Sequence, residues 1–162
     1  MEMFCFQCQE AAGGKGCTIK GVCGKEPQTS ALMDVLLFAT RGMAIVNRAL
    51  REKGSADRKA DRLMLDALFC TITNANFDDD AIKQRIEKVL AVKNELIGTA
   101  QKRGIQLPDM KEVSFYVSAD AYESAAKEVG VLTMANEDIR SLKQLAIYGI
   151  KGAAAYAEHA LN

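Results

Sequence analysis

Four of the five cysteines stand at positions 5, 8, 17 and 23, a C-x2-C-x8-C-x5-C pattern packed into the first two dozen residues of a 162-residue chain. Thiolates are soft ligands that suit zinc or iron–sulfur centres, and a two-residue gap lets Cys5 and Cys8 reach one centre from a single tight turn. The longer gaps carry glycines at 13, 14, 16, 21 and 24. Such glycines let a backbone wrap closely round an inorganic core and turn its amide N–H groups inward. Residues 1–24 therefore read as a metal-cluster cradle.

Two other uses of the same thiols compete with this. Disulfides are disfavoured because no secretory signal precedes the cysteines, Met1 leads almost directly into Cys5, and cytosolic disulfides are rare. Reduced thiolates in turn imply a cytoplasmic protein. Zinc competes more strongly, since a four-cysteine donor set does not by itself distinguish the two metals. The second pair, Cys17-x5-Cys23, is wider than the usual zinc knuckle, which favours iron–sulfur and leaves zinc open.

Beyond residue 24 the pattern is helical. Pro27 is expected to mark a hinge over residues 25–30, with Thr29 or Ser30 capping a helix in which Leu32, Val35, Leu36, Ala39, Met43, Val46 and Leu50 share one face until Gly54. Ser55 is expected to cap a second helix carrying Leu65, Leu68, Phe69 and Ile72, and Cys70 within it reads as a small buried hydrophobe. Residues 74–77 form a turn, and Asp78 to Asp80 cap a third helix with Ile82, Ile86, Val89, Leu90, Leu96 and Ile97 on its apolar side. Residues 105–118 are expected to be extended loop, and a short helix follows over 119–128. Asn136 opens a last long helix. The whole is an all-α fold: a cysteine-rich loop over 1–28, then a helical domain over 29–162, an antiparallel three-helix bundle plus a further long helix in a four-helix-like arrangement.

The last helix echoes the first. Leu32 to Ala44 and Leu142 to Ala154 share a leucine, an aliphatic–aromatic pair and a basic-Gly-x-Ala block at a constant offset of 110 residues. Gly42 and Gly152 occupy matching mid-helix positions, and close helix–helix approach is expected at both. Ile139, Leu142, Leu145, Ile147, Ile150, Tyr156 and Leu161 cover so much of the last helix that it is expected to be buried on more than one side. It either folds back on residues 30–104 or pairs in a homodimer. His159, near that helix's end, reads as a dipole contact rather than a ligand.

Twenty-one basic and 21 acidic residues cancel, leaving no electrostatic footprint for nucleic acid, and no apolar run is read as approaching the ~20 residues of a bilayer span.

Phe4-Cys5-Phe6-Gln7-Cys8-Gln9-Glu10 and Gly16-Cys17-Thr18-Ile19-Lys20-Gly21-Val22-Cys23-Gly24-Lys25 together resemble the N-terminus of the hybrid cluster proteins, also called prismane proteins or hydroxylamine reductases. The likeness continues through residues 71–77, Asn136 to Leu142 and Tyr148 to Gly152, so it spans nearly the whole chain. It implies that Cys5, Cys8, Cys17 and Cys23 ligate a 4Fe-4S cluster, with zinc as the alternative occupant. It also implies a helical domain containing two three-helix bundles, of which this chain would hold one and the opening helix of the second. Family members are much longer, and their hybrid cluster uses His, Glu and Cys ligands from later domains. With one His and one unassigned Cys, this chain lacks that centre. What remains is an electron-transfer module without catalytic residues, partnered by a redox protein or by the remainder of a hybrid cluster protein.

Overall fold

The computed structural model describes residues 3–72 and 75–161, and Thr73 and Asn74 of the expected turn lie outside it. Among the described residues there are six α-helices and no strand: α1 (Pro27–Glu52), α2 (Arg58–Cys70), α3 (Asp79–Lys102), α4 (Lys111–Ser114), α5 (Tyr122–Val129) and α6 (Glu137–Leu161).

Helix α1 is the axis of the molecule, packing on α2, α3, α4 and α5. Leu32, Val35, Leu36, Ala39, Met43, Val46 and Leu50 are all buried, as the periodicity predicts. They meet Ile82, Ile86, Val89, Leu90 and Leu96 of α3 in one continuous core. The Thr29 hydroxyl donates to Asp79 Oδ1 at 2.6 Å, so α1 and α3 start side by side, and α2 packs on both. Buried Asn47 pins that return: its Nδ2 donates to Asp57 O at 3.0 Å and Asp61 Oδ1 at 2.9 Å, while its Oδ1 accepts from Asp57 N at 2.8 Å.

The helix boundaries correct several expectations. Pro27 lies inside α1, at its first turn, where its missing N–H is no loss, so neither Thr29 nor Ser30 is the cap. Helix α2 is capped by Asp57 rather than Ser55, the carboxylate accepting from Lys59 N and Ala60 N. Asp78 caps α3 as expected. The stretch 105–118 contains the short helix α4. By length and composition α1 could cross a membrane, contrary to the reading above; most of its apolar window is buried, as in the core helix of a globular fold.

Helix α2 is two-sided. Ala60, Leu63, Ala67 and Cys70 face the α1–α3 core, whereas Leu65, Leu68 and Phe69 are half-buried and α6 packs on α2. His159 makes an edge contact with Phe69, ring centroids 6.1 Å apart.

The orientation of α6 is the largest departure. Its buried side chains are Gln144, Lys151 and Ala154, while Ile139, Leu142, Leu145, Tyr148, Ile150, Tyr156 and Leu161 are exposed. Moved by the 110-residue offset, the core set of α1 at 32, 35, 36, 39, 43 and 46 falls on 142, 145, 146, 149, 153 and 156 of α6. Every one of those is exposed. The two helices share a pattern, and only α1 has its apolar face covered.

Lys93 is 1% exposed, and its ammonium donates to the carbonyls of Glu112 and Phe115, tying α3 to α4 and the turn after it. Burial holds its pKa down at about 8. The folded state therefore binds this proton less tightly than the unfolded chain, and stability linked to Lys93 rises between pH 8 and the ordinary lysine pKa. It is lost as pH falls through that window. Raising pH from 8 to 10 should increase the unfolding free energy by about 1–2 kcal/mol more in the wild type than in Lys93→Met, read from urea midpoints.

Candidate metal centre

The N-terminal loop is organised by one pair of residues. Cys5 N donates to Cys17 O at 3.0 Å and Cys17 N to Cys5 O at 2.9 Å, an antiparallel bridge across an 11-residue excursion. Residues opposed in this way project their side chains to the same face, so the bridge brings the first and third cysteines together. Between them the chain turns through a 3-10 segment, Ala12–Gly14, whose entry is fixed by Ala11 N donating to Cys8 O at 3.2 Å. Gly16 follows with φ +134°, and a Cβ there would lie 2.7 Å from the Phe4 ring. Only glycine satisfies both the conformation and the contact.

The second half closes more loosely. Gly24 N donates to Gly21 O and Gly21 N to Lys25 O, each at 2.8 Å, folding residues 21–25 into a compact turn. A Cβ on Gly21 would come within 3.1 Å of Cys23 Sγ. Cys17 is buried, Cys5 and Cys8 are half-buried, and Cys23 is exposed; all are free thiols. Cys8 and Cys23 are not drawn into one ligating set with the bridged pair, and no three His, Cys, Asp or Glu residues among those described converge as metal ligands.

The donor chemistry nonetheless suits a soft metal centre: four sulfur donors lie in one loop, with glycine where side chains would block approach. Met3, Ala11 and Cys17 form a small apolar cluster against which Cys5 and Phe6 pack. Phe4 turns the other way, against Gly16 and beneath the Arg140 guanidinium of α6, 4.4 Å from the ring centroid. Phe6 thus lines the cysteine side, and Phe4 fixes the loop to the bundle.

Charge around the loop was not foreseeable from spacing. Lys25 and Lys151 are 2% and 0% exposed. Burial raises the pKa of Cys5, and the two lysines oppose that rise. Lys151 Nζ donates to Thr71 O at 2.9 Å, at the C-terminus of α2. Asp34 accepts from Val131 N at 2.9 Å, and burial pushes its carboxyl up to about 6. The one sequence signal for Lys151 is a basic residue on the same helical face as Gln144 and Ala154. Cys70 lies on α2 and not in the loop: its sulfur accepts from Asn76 Nδ2 at 3.2 Å, and burial raises its pKa.

Comparison with known proteins covers the same span. A family profile described as the Prismane/CO dehydrogenase family matches residues 3–162. Proteins named hydroxylamine reductase are similar throughout: 52% identical in Porphyromonas gingivalis over 98% of this chain, 51% in Bacteroides fragilis over 100%, and 47% in Clostridium perfringens over 100%. The chain spans only 29–30% of the length of these relatives.

Proposed function

This chain belongs to the Prismane/CO dehydrogenase family, and on that premise we propose that it is an electron-transfer module whose N-terminal loop holds one 4Fe-4S cluster through Cys5, Cys8, Cys17 and Cys23. The observation that carries the reading is the Cys5–Cys17 bridge, which pairs two of four soft donors inside a glycine-rich loop. Such a cluster supplies one-electron storage at a potential set by its surroundings. The chain's own part is to present thiolates, exclude water with Phe6 and Met3, and anchor the loop through Phe4 and Arg140. Exposed Cys23, flanked by exposed Val22 and with exposed Ile19 nearby, supports an edge where a redox partner or the rest of a longer family protein approaches. No residue is proposed for hydroxylamine chemistry.

Anaerobically purified chain should contain roughly four iron and four acid-labile sulfide, with visible absorption bleached by dithionite. Stoichiometric zinc without sulfide would replace this reading with a structural zinc site. A cytoplasmic location is part of the proposal, since reduced thiolates are required.

The uncovered face of α6 supports a second contact. Covering each large apolar side chain contributes about 1.5–3 kcal/mol, so burying several is comparable with the cost of association. The 162-residue chain by itself should sediment at micromolar concentration as a homodimer, and Leu145→Glu or Tyr156→Glu should return it to 17.6 kDa. A wild type that stays at 17.6 kDa and is unchanged by either substitution would rule the pairing out.

A further inference from the structure

Arg140, Lys143 and Gln144 share one turn of α6, at i, i+3 and i+4, and all three line a cleft of about 260 Å3 bordered by α1, α4 and residues 128–134. Their polar groups are unused. Gln144 is 8% exposed, yet its carboxamide meets no partner among the described residues. Arg140 lays its guanidinium on the Phe4 ring, 4.4 Å from the centroid, and its buried Nε has no acceptor. Lys143 joins them from the exposed side, with no carboxylate of the described residues against it. Leaving buried donors unpaired is costly, and one turn that does so three times on one cleft points to an acceptor supplied from outside the chain.

The other charges of the cleft are already engaged. Arg41 pairs with Glu112 at 3.4 Å, Lys111 with Glu128 at 4.0 Å, and Asp34 Oδ2 accepts from Val131 N at 2.9 Å. Four cations against three carboxylates leave one positive charge, which suits a singly charged anion better than a phosphate dianion. Between the charges the wall is apolar, formed by Leu37 and Phe38 of α1 with Met134 and Ile147. Small-molecule sites combine such walls with a few convergent polar groups, and this cleft lies just below their usual ~300–1,000 Å3. We infer that it binds a small monocarboxylate with an apolar body, the carboxylate on Arg140, Lys143 and Gln144 and the body against Leu37, Phe38, Met134 and Ile147. The arginine fork matches the two oxygens of a carboxylate, and the carboxamide N–H adds a neutral donor beside it. No lining residue is a cysteine, so the inference stands apart from the cluster reading.

Calorimetric titration of the 162-residue chain with hexanoate, at low ionic strength in a buffer free of carboxylates and phosphate, tests this. Hexanoate should bind with a dissociation constant below about 1 mM, and acetate, 1-hexanol and inorganic phosphate should each bind at least about tenfold more weakly. Arg140→Gln should weaken hexanoate about tenfold. Gln144→Leu should weaken it about threefold or more while leaving the urea midpoint unchanged or higher, because a buried carboxamide without a partner does not hold the fold together. Should Arg140→Gln fail to fold for want of its stacking on Phe4, exposed Lys143→Gln carries the charge comparison, with a loss of about threefold. Tyr156→Glu, on the uncovered face of α6, should bind hexanoate as the wild type does. No saturable binding overturns the inference, as do equal affinities for hexanoate and 1-hexanol. Wild-type affinity in both Gln144→Leu and Lys143→Gln overturns it too. So does loss of binding in Tyr156→Glu, which would move the ligand from the cleft to the uncovered face.

Discussion

Cys8→Ala and Cys17→Ala should each lose essentially all bound iron, whereas Cys70→Ala should retain the wild-type content. The contrast follows from where the five sulfurs stand. Cys17 is one half of the backbone bridge that closes the loop, and Cys8 begins the turn that leads back to it. With the cluster proposed above, removing either thiolate would leave one iron without a protein ligand while the remaining donors stay on a short, glycine-rich segment with little structure of its own to compensate. Cys70 sits on the core face of α2, with its sulfur engaged by Asn76. To reach the loop it would have to rotate out of a core shared with Leu63 and Ala67. Truncating it removes one small buried atom, a cost of about 1 kcal/mol with no consequence for the ligands. Iron and sulfide analysis of the three purified variants decides the matter, with circular dichroism confirming that each keeps its helices. Equal iron loss in Cys70→Ala and Cys8→Ala would mean that the fifth cysteine had been misassigned.

The helices that build this scaffold were legible because their information is local. A repeat of three and four apolar residues fixes the core face of α1 and α3, and Leu32 to Leu50 and Ile82 to Leu96 lie where that repeat puts them. Long-range placement was not local, and there the reading slipped. The apolar side of α6 is as periodic as that of α1, yet the chain docks α6 through Gln144, Lys151 and Ala154, because the covered side is decided by partners and not by pattern alone. Helix α2 shows the same limit from the other direction. Its apolar residues surround the helix because it serves both the α1–α3 core and α6, so a single-face reading chose Leu65, Leu68 and Phe69 and missed Ala60, Leu63 and Ala67.

The candidate site divides similarly. Four thiols in one loop could be named from spacing, but the pairing of Cys5 with Cys17 depends on backbone geometry across the excursion between them. Lysines 25, 93 and 151 are ordinarily assigned to solvent, yet each is 2% exposed or less. Two of them are held by what the fold brings from a distance: carbonyls in and just after α4 for Lys93, the end of α2 for Lys151.

Gly42→Ala should destabilise the fold by about 2–3 kcal/mol, while Gly152→Ala should stabilise it by up to about 1 kcal/mol, although the two glycines occupy equivalent places in the repeated sequence block. In a helix interior alanine is favoured over glycine by roughly that last amount, and nothing lies within 4 Å of a Cβ built on half-buried Gly152. The expected close approach is therefore absent there. At Gly42 the same Cβ would fall 2.0 Å from Glu112 O and 2.8 Å from its carbonyl carbon, so backbone and not a flexible side chain must yield. That backbone is α4, held against α1 by the edge-on Phe38–Phe115 pair at 5.0 Å and tied to α3 by Lys93. Moving α4 outward lengthens the bonds from Lys93 to Glu112 O and Phe115 O and admits water to the ammonium. Two readouts should then change together in Gly42→Ala: the urea midpoint falls, and the rise in stability from pH 8 to 10 shrinks toward that of Lys93→Met. A Gly42→Ala variant as stable as the wild type, with its pH dependence intact, would show that α4 does not rest on this glycine.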